Sequence, residues 1–513
     1  MKRLFKGETY RPYRLWYHYE NRRLEDMFYR KLSTICFLAF FVLAVFTFGG
    51  TALSQTTGTG TTTGTSTGTG TSTGTGTSTG TGTSTGTGTN TIIPIPTYGS
   101  SVLGGVEIDT RGFCAIAPRN VMENISKDMR QTFEKIPADL SQQVSIRKIS
   151  LKKIDKVIRE TVDNGVFLPD TIRYLGGLTA VNYVVLVPEE NDILLVGPSE
   201  GWKVDSSGYV VGNITGNPVL RLEDLIILFR TWYSKDAHTT ITCSIDPTPD
   251  SIVRMNAVKN KFGIPSQRNA KAYAYELERA SGDDVVVING VERTSRIAKT
   301  LVAADYKMKQ IGLGHVASGL RGLPSYLSLL SGSPRHISPR FWLSAEYGVI
   351  YHDSQKLTWK LSDVKVDAKT EDQYIDSRSN SRVASGRTDP AAVRWCKKMG
   401  EQYNSLSRVD PVFSELRNCM NLAMVVALIL REGLLDKSGC EIQAITEDPR
   451  MKTPQLPEPK FVSGKSVIAK NVVACGGVEI NPFNAIQAAK LDNKIDNQHE
   501  KLAKTTGNNW WSK

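Results

Sequence analysis

No CxxC pair, HExxH, GxxxxGK[ST] or EF-hand loop occurs anywhere in the 513 residues. These are the usual sequence marks of structural zinc, zinc proteases, phosphate-cradling loops and calcium loops. Their absence excludes those local assignments, and no cofactor is expected. Histidine is scarce, at six residues, and cysteine numbers seven. Cys36 lies in an apolar segment, which leaves Cys114, Cys243, Cys396, Cys419, Cys440 and Cys475. In an exported chain these six would allow up to three disulfides, with the pairing open.

Charge is also missing from residues 32–54, and 35–48 is almost wholly Phe, Leu, Val and Ala. The 31 residues before it hold nine Lys/Arg and four acids, a net +5. A basic leader ahead of an apolar run predicts that residues 1–31 stay on the cytoplasmic side and that the rest is exported. The segment 32–54 therefore contacts a membrane at least transiently. Its strongly apolar core has the length of a signal peptide, and Ala52-Leu53-Ser54 offers small residues for cleavage. Counted with its flanks, the uncharged stretch is long enough for a retained signal anchor. The exported part keeps +7 of the total +12. That balance fits anionic cell-wall or surface polymers and lipid phosphates better than nucleic acid.

What is present in abundance is threonine and glycine. Residues 55–97 form a low-complexity linker in which Ser66, Ser72, Ser78 and Ser84 mark a six-residue repeat. Its Thr-Gly-Ser part, 56–91, has nothing to bury, and as a flexible tether it spans about 30 Å.

Past the linker, strand and helix patterns mix without a repeat period, which predicts an α+β fold. The body is expected over 98–366, with a subdomain boundary near 235. A polar loop is expected over 367–388, a helical hairpin over 389–436, and a C-terminal segment over 437–513 with a strand at 472–481. Hairpins are predicted around the turns 109–112 and 189–192. Ser150 is placed to cap a helix ended by Asn164-Gly165, and Asp389-Pro390 and Asp410-Pro411 each start a helix. Gly104-Gly105-Val106-Glu107-Ile108 is echoed by Gly476-Gly477-Val478-Glu479-Ile480. If both are equivalent strands, one copy's strand could pair in another copy, which gives a route to self-association.

Candidate site residues are few. Lys148, Lys152, Lys153, Lys156 and Arg159 cluster on and before the Ser150-capped helix and form the best candidate for binding an anionic surface. His352-Asp353-Ser354 has the residue types of a triad, yet neighbours in a strand face opposite ways, so a strand-end turn is expected. Asp236 and His238 could share a cation but read first as a surface pair, His315 and His336 stand alone, and 189–192 reads as a solvated acidic turn. Asp305 and Lys309 are expected to form an i,i+4 ion pair beside the stripe Ile297, Leu301, Ala304 and Met308.

The runs 304–312 (ADYKMKQIG), 197–202 (GPSEGW), 243–248 (CSIDPT) and 416–423 (LRNCMNLA) resemble a family of exported planctomycete proteins catalogued as a domain of unknown function. The resemblance implies export and a multi-segment α+β body, and brings no activity or catalytic residue. The functional expectation is a non-catalytic envelope or cell-surface protein with a binding or assembly role. The alternative is an envelope hydrolase whose site is assembled from distant residues.

Overall fold

Two mixed sheets share one hydrophobic core in the computed structural model, giving the α+β class expected from the sequence. The structure describes residues 102–233, 240–263, 266, 268–331, 339–376, 381–469, 472–505 and 509–513. The leader, the apolar segment 32–54 and the Thr-Gly tether lie outside these residues, as do Asp236, His238 and His336.

The larger sheet has ten strands. Across it run Val102–Leu103, Val106–Ile108, Phe113–Ile116, Phe461–Ser463, Asp283–Asn289, Ile241–Pro247, Cys475–Ile480, Pro339–Glu346, Lys365–Asp376 and Ser381–Ala384. Two pairings are parallel, Phe113–Ile116 with Phe461–Ser463 and Pro339–Glu346 with Cys475–Ile480, and the others are antiparallel. The seven-stranded sheet contains the hairpin Tyr183–Val187/Asp192–Ser199, flanked by Val144–Ser150 and then the C-terminal Trp511–Ser512.

Several local expectations are met by clear chemistry. The Ser150 hydroxyl accepts from the Lys153 amide, and Gly165 closes helix Leu151–Asn164 in a left-handed conformation. Asp389 and Asp410 cap helices Pro390–Val409 and Pro411–Arg431 by accepting from Ala391 and Val412 amides. The turn after Ile108 is held by Asp109, whose carboxylate accepts from the Arg111 and Phe113 amides.

Other expectations are corrected. The stretch expected as a polar loop, 367–388, is mostly β: Lys365–Asp376 pairs along Pro339–Glu346 and then with Ser381–Ala384. A strand near a sheet edge, where one face meets water, tolerates polar residues, so their polarity does not signal a loop. The boundary expected near 235 does not divide the body, because Thr87–Lys513 forms one unit and the C-terminal strand Cys475–Ile480 lies between Ile241–Pro247 and Pro339–Glu346. The glycine echo is not a structural repeat. Gly104 and Gly105 form a left-handed turn, whereas Gly476 and Gly477 lie inside a central strand. A Cβ on Gly477 would fall 1.5 Å from the Cys243 carbonyl oxygen, so here the backbones approach too closely for any side chain.

Among the described residues no disulfide is present where the sequence allowed up to three: Cys114, Cys243, Cys396, Cys419 and Cys440 are buried free thiols. The Cys475 thiol is buried and donates to Pro339 O at 3.8 Å and Gln373 Oε1 at 3.6 Å.

Helix Pro411–Arg431 is, among the described residues, the one long and apolar enough to cross a membrane, yet 94% of its most apolar window is buried inside the protein. It packs against helices Leu222–Trp232, Arg296–Gly312 and Pro390–Val409 as the centre of the core. Helix Arg296–Gly312 is buried along nearly its whole length, with Lys307 the one residue reaching partly to solvent. Arg296, Lys299, Asp305 and Lys309 are therefore all inside the protein.

Candidate functional site

The residues expected to form an anionic-surface site do not act as one patch. Lys148 points inward and donates to the carbonyls of Lys501 at 3.0 Å and Lys504 at 2.5 Å. Burial lowers its pKa. Arg159 pairs with buried Asp155 at 2.7 Å, and Lys152 donates to Glu190 O at 2.6 Å. Lys156 stands opposite Glu160 at 3.8 Å on the exposed face, and Lys153 is half-buried. Asp192, expected in a solvated turn, is buried instead, and accepts from Ser150 Oγ and from the amides of Lys152 and Ile193. It ties the acidic turn to the start of helix Leu151–Asn164.

The histidines are locally engaged. His352 Nδ1 lies 2.8 Å from Asp353 O, its ring packs on Trp359, and Asp353 accepts from the Leu357 amide. That is the strand-end turn expected. His315 Nε2 meets Ile468 O at 3.0 Å. Among the described residues no group of His, Cys, Asp or Glu is arranged to hold a metal ion.

A site that the sequence reading missed lies where eight chain segments converge. Its cavity, about 100 Å³, is walled by the turn at Leu103-Gly104, helix Arg119–Thr132, Arg173-Tyr174, the turn 207–209, Arg221 and Glu223, Arg296, Glu415, and Pro454 with Leu456. Gly104 is essential to this closure. Its φ of +63° favours glycine, and a Cβ there would come within 2.5 Å of Val412 Cγ2 and 2.8 Å of Ala303 Cβ.

One wall is a chain of ion pairs. Arg296 Nη1 meets Asp224 Oδ2 at 2.7 Å, Nη2 meets Glu415 Oε1 at 2.6 Å, and Nε meets Glu223 Oε1 at 3.3 Å. Arg221 reaches Glu223 and Glu415, each at 3.5 Å. Arg173 pairs with Asp170 at 2.6 Å. The guanidiniums of Arg173 and Arg221 also lie 5.4 and 5.5 Å from the Tyr174 ring centroid, within cation–π range. Burial pushes the Asp224 carboxyl up to about 6, against the pull of Arg296, while the surrounding carboxylates hold Arg296 firmly charged.

Two phenols finish the wall. Tyr174 and Tyr209 are 1% and 5% exposed, and neither hydroxyl finds a hydrogen-bond partner in the structure. Asp224 Oδ1 is likewise unpaired. A buried polar group without a partner is costly, so such groups beside a void mark capacity for something else to bind. Burial raises both phenols and keeps them protonated.

The segment that brings Arg296 to this wall is also the one with a known likeness. Residues 243–326 match a family of proteins of unknown function, DUF1598. The matched DUF1598 segment covers strand Asp283–Asn289, helix Arg296–Gly312 and most of strand Ile241–Pro247. Arg296 alone of the cavity's charged residues falls within it. No curated protein and no solved structure matches the chain.

The missed residues left faint signals. Arg221, Glu223 and Asp224 interrupt an apolar run from Val219 to Phe229, and Glu415 interrupts the apolar helix Pro411–Arg431. Acids inside apolar runs require a buried partner, but sequence does not name it.

Proposed function

We propose that this chain is a non-catalytic binding protein of the cell envelope, its folded body carried beyond the membrane on the Thr-Gly tether. The observation supporting binding is the small cavity faced by an ion-pair chain and by two buried phenols with no partner. Groups held in place by the fold bind a ligand with little ordering cost. The +5 leader, the uncharged segment 32–54 and the tether support the envelope setting, as does the resemblance to exported planctomycete proteins.

Contact with anionic polymers belongs to this proposal in a reduced form, through the exposed Lys152 and Lys156. Self-association is a further part of it.

Binding is tested by thermal shift of the full chain against a panel of small anions, cations and polyols. Saturable stabilisation that depends on Tyr209 is expected. Turnover of a wall polymer, abolished by one polar-to-Ala change, would overturn the non-catalytic reading. Fractionation with N-terminal sequencing of the mature protein tests the setting. Recovery of the intact chain in the soluble cytoplasm would overturn it, and a new N-terminus at Gln55 would identify the tether as a free tail.

A further inference from the structure

The ion-pair chain is not balanced. Two guanidiniums, Arg221 and Arg296, face three carboxylates, Glu223, Asp224 and Glu415. The neighbouring pair Arg173–Asp170 is neutral by itself. One buried negative charge is therefore left over, and a buried charge without a counterion is strongly unfavourable.

The excess is concentrated toward Tyr209. On the Tyr209 side Glu415 and the half-buried Asp205 stand against Arg296, while Asp410 is neutralised by Lys307 at 2.6 Å. Around Tyr174 the charges of Arg173 and Arg221 balance those of Asp170 and Glu223. The void lies between these phenols, and its other wall, with Leu103, Met122, Ile125 and Leu456, is apolar. An anion is disfavoured there because the guanidiniums already face carboxylates.

We propose that the cavity takes a small primary ammonium compound, its charged nitrogen between Tyr209 and Glu415 and its short alkyl body against Met122 and Ile125. An ammonium carries three donors and no acceptor, and the phenol and carboxylate oxygens supply acceptors. It would neutralise the surplus charge. Size limits the ligand, since a cavity of about 150 Å³ accommodates benzene and this one is about 100 Å³. Methylammonium, ethylammonium and ethanolammonium fall in that range. This assignment rests on the binding reading above and adds the ligand's charge and class to it.

The test is isothermal titration of the full chain in detergent at pH 8 with those three ammonium salts, beside acetate, phosphate and ethylene glycol. Saturable binding of an ammonium salt is expected, weakened roughly tenfold in Tyr209→Phe, the scale of one lost hydrogen bond to a charged group. Because the Tyr209 hydroxyl has no partner in the fold, that variant keeps its stability, and its unfolding midpoint verifies this. Met122→Trp, which fills the void, is expected to abolish binding. If acetate, phosphate or the glycol binds and the amines do not, the ammonium assignment falls while the binding reading stands. If amines bind equally to wild type, Tyr209→Phe and Met122→Trp, they bind elsewhere and the assignment falls. If no probe binds, both fall.

Discussion

Helix Arg296–Gly312 carries two buried charge systems, one near each end, and they differ in how far the protein has satisfied them. Toward its C-terminal end, Lys309 and Asp305 are both fully buried and 2.7 Å apart. The ammonium also donates to Gly476 O at 3.1 Å and Ile245 O at 3.4 Å. Gly476 and Ile245 are paired residues of adjacent central strands, so the lysine ties the helix to the sheet at one rung. Its three donors meet three acceptors, and of the pair's polar atoms only Asp305 Oδ1 is left without a partner. At the N-terminal end, Arg296 sits among three carboxylates with a surplus charge, two idle phenols and a void. Buried charge alone does not mark a site; the unmet capacity beside a space does.

The largest expected effect breaks the closed end. Lys309→Met leaves Asp305 buried without its cation and is expected to cost about 3–5 kcal/mol in urea unfolding. Adding Asp305→Leu should recover most of the loss. A single variant as stable as wild type would show that the pair is not a lock.

Both ends predict the same pH dependence at a smaller scale. Burial raises Asp305 to about 7 and Asp224 to about 6, far above the ordinary 3.8. Lys309 and Asp246 act on the first, and Arg296, Arg221, Glu223 and Glu415 on the second. The folded state thus binds these protons more tightly than the unfolded one. The stabilisation is fully present below the unfolded values and fades as pH rises through about 6 to 7. Buried Asp155 and Asp192 and half-buried Asp205 are raised as well and act in the same direction. Unfolding free energy should fall by on the order of 2 kcal/mol from pH 5 to pH 8. Asp224→Asn should reduce that slope, and a slope of opposite sign would refute the burial argument.

Two tyrosines sharpen the contrast further. Tyr403 donates to Phe413 O at 2.8 Å, so Tyr403→Phe should cost about 1 kcal/mol. Tyr209→Phe removes an unpartnered hydroxyl and should cost nothing or stabilise slightly. Equal losses in the two variants would mean that Tyr209 has a partner after all. The smallest effect concerns the thiols. Cys114, Cys243, Cys396, Cys419 and Cys440 should resist a maleimide in the native state and react on unfolding, because burial excludes the reagent and favours the neutral thiol.

Much of the fold was legible where the signal was local. The caps at Ser150, Asp389 and Asp410 were readable because a short polar side chain satisfies amides two or three residues ahead. The hairpin across 189–192 was readable for the same reason of range. The ion pair Asp305–Lys309 was readable as a spacing, but its complete burial was not, since the covering strands come from far along the chain. Lys148 misled because strand residues near a helix start look solvated until the C-terminal helix Asp496–Ala503 is seen to supply carbonyls above them.

The sequence by itself determined the α+β class, the hairpins at 109–112 and 189–192 and the helix caps, because propensity and capping act over a few residues. Only the tertiary structure decided the cavity and its charge balance. Arg173, Tyr209, Arg221, Arg296 and Glu415 stand up to 242 positions apart, between residues 173 and 415, and no local energy term links them. They meet because burying the helices Leu222–Trp232, Arg296–Gly312 and Pro411–Arg431 against one another carries their charged ends into one place, where each charge must find a partner.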